Sequence, residues 1–233
     1  MFAKADVVST ISLEDFSNKT PMVCGGGLRQ DFSRIVTVKP GVLPHIPHMH
    51  PTRVFHKGAD RKTELASMRV IELIAPEIAV PMTPDRKRNS NPEYNGVYMR
   101  WVRGRPVQYR VTYTPQHHFD FGCIAVIDAL LGNTDRHEGN AMVTKAHVYP
   151  IDHGLCLNYG MLCKSLNSIA RSNIHTFNGI CATLERVHQY AADITVIANA
   201  VKYIGSADDI REWATTMKKA AYEDYNRKAP KRW

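Results

Sequence analysis

Asp135, Asn140 and Asp152 are oxygen-bearing side chains at a spacing that suits phosphoryl transfer. Asn140 follows Asp135 by five residues and Asp152 follows it by seventeen. They sit in Leu131-Gly-Asn-Thr-Asp135-Arg136-His137-Glu-Gly-Asn140 and in Pro150-Ile151-Asp152-His153-Gly154. A carboxylate at 135 can orient an attacking hydroxyl and accept its proton. That task needs only modest activation, because phosphoryl transfer rests on positioning and charge neutralisation. The amide oxygen of Asn140 and the carboxylate of Asp152 are hard ligands of the kind Mg2+ prefers, and magnesium keeps several waters besides. Singly, each has a plainer reading: Asp135 caps a turn, Asn140 sits in a turn beside Gly139, and Asp152 forms an Asx turn before Gly154. Taken together and in this order, they point to the chemistry.

Such residues need elements to hold them. His118–Leu131 has the spacing of an amphipathic helix that would deliver the Asp135 loop, with His117-His118 as its start. Ala141-Met-Val and His147–Ile151 predict a small hairpin between the two candidate ligands. Upstream, the first hundred residues read as β-rich with one helix. Met22-Val-Cys, Ser33–Val38, Thr52–Lys57 and Val97–Val102 are strand candidates, and Gly104-Arg-Pro106 is a break. Lys62–Ile74 has helical spacing and ends before Pro76. Downstream, helices are expected over about 179–204 and 207–225, the second opened by a Ser206/Asp209 capping box. The Pro- and Asn-containing stretch 85–96 and the Pro/His stretch 43–51 read as loops. Prolines among His45, His48 and His50 restrict their convergence on a metal.

The Asp-Arg-His-x-x-Asn and Ile-Asp-His-Gly segments resemble the phosphatidylinositol 3-/4-kinase-like branch of the protein-kinase-like fold, and are similar to actin-fragmin kinase and HipA-like kinases. The resemblance covers about residues 118–157 and, less fully, 52–75; the C-terminal third matches no motif. It implies an α+β, two-lobed fold. A small β-rich N-lobe with one helix would span residues 1–103, and a mostly helical C-lobe residues 104–233. It also implies ATP and Mg2+ as cofactors, with Asn140 and Asp152 as the metal pair. The catalytic set would be Asp135, His137 and Arg136. His137 could equally be a structural imidazole bonded to its loop, and Arg136 reads as a brace of the loop rather than a substrate contact.

On the nucleotide side, Val-Phe-His-Lys57-Gly-Ala-Asp-Arg-Lys-Thr-Glu64 looks like the Phe-Lys-x-Gly-Asp-Asp segment of phosphatidylinositol 3-kinases. Lys57 would then reach the phosphates and Glu64 would pair with it. Lys39, at the end of another strand candidate, is a rival. Gly25, Gly26 and Gly27 could let backbone amides approach phosphate, or could simply turn the chain. Met99 and Trp101 lie on the strand leading into the hinge, where the adenine would pack.

The net charge of +8 invites anionic partners. It comes largely from Arg86-Lys87-Arg88, from Arg100 to Arg110 and from the tail through Lys231-Arg232. With no nucleic-acid-binding signature beside it, nucleic acid is not expected; a protein substrate is, and anionic lipid remains open. No run approaches the roughly 20 apolar residues of a membrane span. Five cysteines without a Cys-x-x-Cys pair suit reduced thiols and a cytoplasmic setting. The expected activity is an ATP- and Mg-dependent kinase acting on a protein Ser/Thr hydroxyl. The alternatives are a phosphoinositide kinase and a non-catalytic binding or inhibitory protein on the same fold.

Overall fold

The computed structural model describes residues 16–21, 34–38, 52–57, 61–84, 96–107, 112–157 and 173–228. Gly25, Gly26, Gly27 and Lys39 lie outside the described residues, as do the 22–24 strand candidate, the Pro/His stretch, Arg86-Lys87-Arg88 and the Lys231-Arg232 tail. The architecture is α+β, and the chain divides into two compact units. The first holds residues 1–65 and 81–101, the second residues 66–80 and 102–233.

The first unit is built on an antiparallel five-stranded sheet. Its strands are β1 (Phe16–Pro21), β2 (Arg34–Val38), β3 (Thr52–Lys57), β4 (Met82–Pro84) and β5 (Val97–Arg100), in the order β1-β2-β3-β5-β4. Three of these, β2, β3 and β5, fall within the expected extended runs; β1 precedes the predicted 22–24 strand, and β4 matches no expected run. Lys57 pairs with Val97, and Phe55 with Met99, so β3 and β5 are neighbours. Helix α1 (Arg61–Ile74) starts in this unit and continues into the second. A 3₁₀ turn at Pro76–Ile78 follows it.

In the second unit, α2 (Pro115–Leu131) is the central element. Residues 122–131 are all buried. The expected one-faced amphipathic helix is therefore corrected to a helix apolar on nearly every side, as befits one surrounded by protein. It also starts earlier than predicted, because Thr114 caps it and Pro115 takes the first position, where a missing N–H costs nothing. The His117 ring completes the cap. Its Nδ1 accepts from the Thr114 N–H at 3.2 Å, which leaves Nε2 to donate to the Thr144 carbonyl at 3.1 Å.

The expected 179–204 helix is two helices, α3 (Ile174–Gln189) and α4 (Ala191–Asn199). Asn173 starts α3 by accepting from the His175 and Thr176 amides. Tyr190, at φ −97° and ψ 17°, separates the two. Helix α5 (Ala207–Lys228) opens on the predicted box: Asp209 accepts from the Ser206 amide at 2.7 Å, and Ser206 Oγ accepts from the Asp209 amide at 3.1 Å. Phe177 stacks on Tyr225 at 4.4 Å, joining α3 to α5.

Helices α2 and α3 approach to backbone contact. A Cβ on Gly122 would fall against the Thr176 carbonyl and 2.8 Å from the Ile180 nitrogen; one on Gly179 would strike the Phe119 carbonyl. Cys123 packs in the same seam, and burial pushes its thiol up to about 12. Because backbone rather than side chain stands in the way, Gly122→Ala and Gly179→Ala should each destabilise by about 3 kcal/mol or more. Urea unfolding checks this; a loss under 1 kcal/mol for both would contradict the close crossing.

Arg186 of α3 donates to both carboxylate oxygens of Glu77, at 3.1 and 3.0 Å. That hydrogen bonding holds the Glu77 carboxyl below its ordinary 4.5, against a smaller opposing effect of burial. A carboxyl lowered on folding contributes stability that is present above the unfolded value and lost as pH falls through the folded one. The pair is half exposed, so screening limits it to about 1 kcal/mol or less. Glu77→Gln should therefore be slightly less stable than wild type at pH 7, with the difference closing as pH falls below 4.5. Melting curves at several pH values read it directly.

Candidate active site

The Asp135 loop begins where α2 ends. Gly132 adopts φ 61° and sends its N–H back to the Asp128 carbonyl, which stops the helix. Asn133 then bridges two groups: its Nδ2 donates to Asp128 Oδ1 and its Oδ1 accepts from the Asp135 amide, each at 3.0 Å. The Asp135 side chain itself is exposed. His137 caps the 3₁₀ turn Glu138–Asn140, accepting the Gly139 amide at Nδ1 at 3.0 Å. That engages Nδ1 and leaves Nε2 as the uncommitted nitrogen of the ring. Asn140 is buried, and its Nδ2 donates to the Asp135 carbonyl at 2.9 Å. Its amide nitrogen is thus committed to the loop, and Oδ1 is the atom left for a cation.

The hairpin that separates the two candidate ligands is as expected: β7 (Ala141–Val143) pairs with β8 (Val148–Pro150). The predicted break at 104–106 is instead a third strand, β6 (Arg105–Pro106), paired with Val143 and Met142. It is only two residues long and lies at the sheet edge, where a proline is tolerated. Beyond β8, the Ile151 amide donates to the Asn140 carbonyl at 3.0 Å, so Asp152 leaves the hairpin beside the Asn140 turn. Asp152 has φ 61°, a left-handed conformation that Asp tolerates better than most residues. Burial of His153 and Cys156, and a 2.7 Å bond from the Leu157 amide to the Leu131 carbonyl, return the chain to the end of α2.

Two buried acids on α2, neither singled out by sequence reasoning, fix this arrangement. Asp128 receives Arg136 Nε and Nη2, each at 2.9 Å, while Arg136 Nη1 donates to the Asn140 carbonyl and, at 2.9 Å, to the Ile151 carbonyl. Arg136 is therefore occupied as an internal brace. Asp120 accepts the Val148 amide at 2.8 Å and faces His147 Nδ1 at 3.2 Å, holding β8 to the helix. Burial pushes the Asp120 carboxyl up, partly offset by the bonds from Val148, Gln116 and His147. The available signal was an isolated Asp inside an apolar helix, in Phe-Asp120-Phe and Ile-Asp128-Ala, because a buried charge has to be matched.

The remaining predicted residues belong to the first unit. Lys57 ends β3, and Glu64 is fully buried in the first turn of α1. Met99 is a buried β5 residue, opposite Phe55 on one side and Met82 on the other, and Trp101 just beyond it is half-buried.

Asn140 Oδ1 and the Asp152 carboxylate are both hard oxygens, a donor set that fits magnesium. Among the described residues no group of three or more His, Cys, Asp or Glu side chains is placed to hold a metal ion. Magnesium held by one or two carboxylates together with substrate phosphates needs no such group.

The Asp128–Arg136 pair is nearly solvent-free, with side chains 2% and 6% exposed. Arg136→Met would leave the Asp128 charge buried without its cation, held only by Asn133, at a cost of about 3–5 kcal/mol. Denaturant unfolding tests this, and a cost below 1 kcal/mol would mean that the pair is not buried in solution.

Residues 60–170 match the family model described as phosphatidylinositol 3- and 4-kinase. No curated protein matches the chain. The matched segment takes in Glu64, Met99, Trp101, the Asp135 loop and Asp152, and starts beyond Lys57 and the glycine run. The family is one of kinase-type phosphotransferases that use ATP and usually a divalent metal. Over this segment, somewhat under half of its length, the chain is similar to the phosphatidylinositol 3- and 4-kinase family.

Proposed function

We propose that the protein is an ATP- and magnesium-dependent phosphotransferase of two-lobed kinase type, acting in the cytoplasm on a Ser or Thr hydroxyl of a protein. One observation carries the reading. The Asp135 loop and the residue before Asp152 are drawn together by Arg136 and by the Ile151–Asn140 bond, which leaves the Asp135 carboxylate exposed and Asn140 Oδ1 uncommitted. In this reading Asp135 orients the acceptor hydroxyl and takes its proton. His137, with Nδ1 engaged, presents Nε2 toward the transferring group. Asn140 and Asp152 hold magnesium, which when bound neutralises charge on the phosphates. Lys57 reaches the phosphates from β3 in preference to Lys39, Glu64 steadies it, and Gly25, Gly26 and Gly27 lie against phosphate. Met99 and Trp101 stand on the adenine side.

A phosphoinositide acceptor is the second reading, favoured by the family description and by exposed Arg100, Arg103 and Arg105. The protein acceptor is preferred on the sequence alone: residues 155–173 are Ser/Asn-rich and carry only two basic residues, Lys164 and Arg171, to meet an anionic head group.

The test offers γ-labelled ATP and magnesium to wild type and Asp152→Ala, with generic protein acceptors and phosphoinositide vesicles as competing targets. Label on protein, lost by at least 100-fold in Asp152→Ala, is the expected result (about 2.7 kcal/mol of barrier). Label confined to vesicles selects the lipid reading. If neither acceptor is labelled and magnesium does not promote ATP binding, both readings fail.

A further inference from the structure

We propose that Asp128 is a positioning residue for the magnesium-binding half of the site, acting through Arg136 to set the relation between Asn140 and Asp152. The inference rests on the phosphotransferase reading above. Asp128 lies on α2, eight residues before Arg136, and touches neither candidate ligand directly. Its side-chain hydrogen bonds nevertheless run to the site. Asn133 links it to the Asp135 amide, and Arg136 carries it to the carbonyls of Asn140 and Ile151. One of those carbonyls belongs to a candidate ligand and the other to the residue just before the second.

The guanidinium suits this duty. It is planar and always charged, and its donors point in fixed directions, so one edge can grip a carboxylate while another nitrogen binds two carbonyls. The carboxylate therefore sets the tilt of the guanidinium plane, and that plane sets the separation of the two backbone carbonyls. Without the Asp128 charge, Arg136 would be a nearly buried cation with no matching anion among these contacts, and would move toward water. The Asn140 turn and the Asp152 segment would then lose the guanidinium link that reinforces the Ile151–Asn140 bond and the β7–β8 pairing beside it.

Asp128→Asn removes the charge with little change of shape, and Arg136→Lys keeps the cation but cannot hold both sides. For each, the magnesium concentration giving half-maximal binding of a fluorescent ATP analogue is measured beside kcat, KM for ATP and melting temperature. Partners that orient metal ligands are worth about 10- to 100-fold in metal affinity. The expected result is a rise of that size in half-saturating magnesium for both variants, together with a fall in kcat that saturating magnesium partly restores. A merely structural role would lower the melting temperature while leaving half-saturating magnesium unchanged in the folded fraction, and that outcome overturns the proposal. If Asp128→Asn fails to fold, Arg136→Lys alone decides, since it retains the buried charge pair. Wild type that binds ATP without regard to magnesium, or not at all, overturns the phosphotransferase reading and this role with it. Wild type with magnesium-dependent binding and unaffected variants overturns only the role of Asp128.

Discussion

A carboxylate taken out of water has to be matched by hydrogen bonds or an opposite charge, and that requirement organises the second unit around α2. The helix is apolar on nearly every side, yet it carries Asp120 and Asp128, each almost fully buried. The effective penalty for burying such an ion is several kcal/mol after relaxation. Asp128 meets it with Arg136 and Asn133, and Asp120 with the Val148 amide, Gln116 and His147. Apart from Gln116, on α2 itself, the matching groups come from the loop and hairpin that carry the candidate site. Satisfying the helix and shaping the site are thus one event: the chain cannot bury α2 well without folding residues 133–151 into place.

That dependence ties down a loop made largely of polar residues. Exposed loops usually hold position poorly, since water can replace their hydrogen bonds. Here Asn140 spends its amide nitrogen within the loop, Asn133 ties the loop to Asp128 on α2, and Arg136 passes beneath it. Side chains with chemical potential, Asp135 and His137, are left exposed on a backbone that is fixed from below. Behind this frame, α2 lies so close to α3 that glycines are needed at 122 and 179. The support of the site therefore extends through a helix crossing with little room to shift.

Much of the local structure was legible in the residues. Period and punctuation placed β3, α1, the β7–β8 hairpin and the start of α5, because these depend on neighbours in sequence: a capping pair, a proline, an alternating run. Other features were misread for a common reason. The Tyr190 break between α3 and α4 has no proline or glycine to announce it, and β6 exists only because Val143 and Met142 offer it partners. The all-round burial of α2 comes from the elements packed around it, which the spacing of its own residues does not record.

The sequence by itself determined which chemical groups were available and at what intervals: Asp135, Asn140 and Asp152, the Asp-Arg-His order, and the helix and hairpin that carry them. Those depend on residue identity and short-range geometry, which are written along the chain. Tertiary structure alone decided which groups were already spoken for. Arg136 is a brace because Asp128 lies against it, His137 is left with one nitrogen because Gly139 takes the other, and Asn140 offers oxygen because Asp135 accepts its nitrogen. Hydrogen-bonding capacity is finite and is assigned in space, so the role of each polar residue followed from its neighbours in the fold.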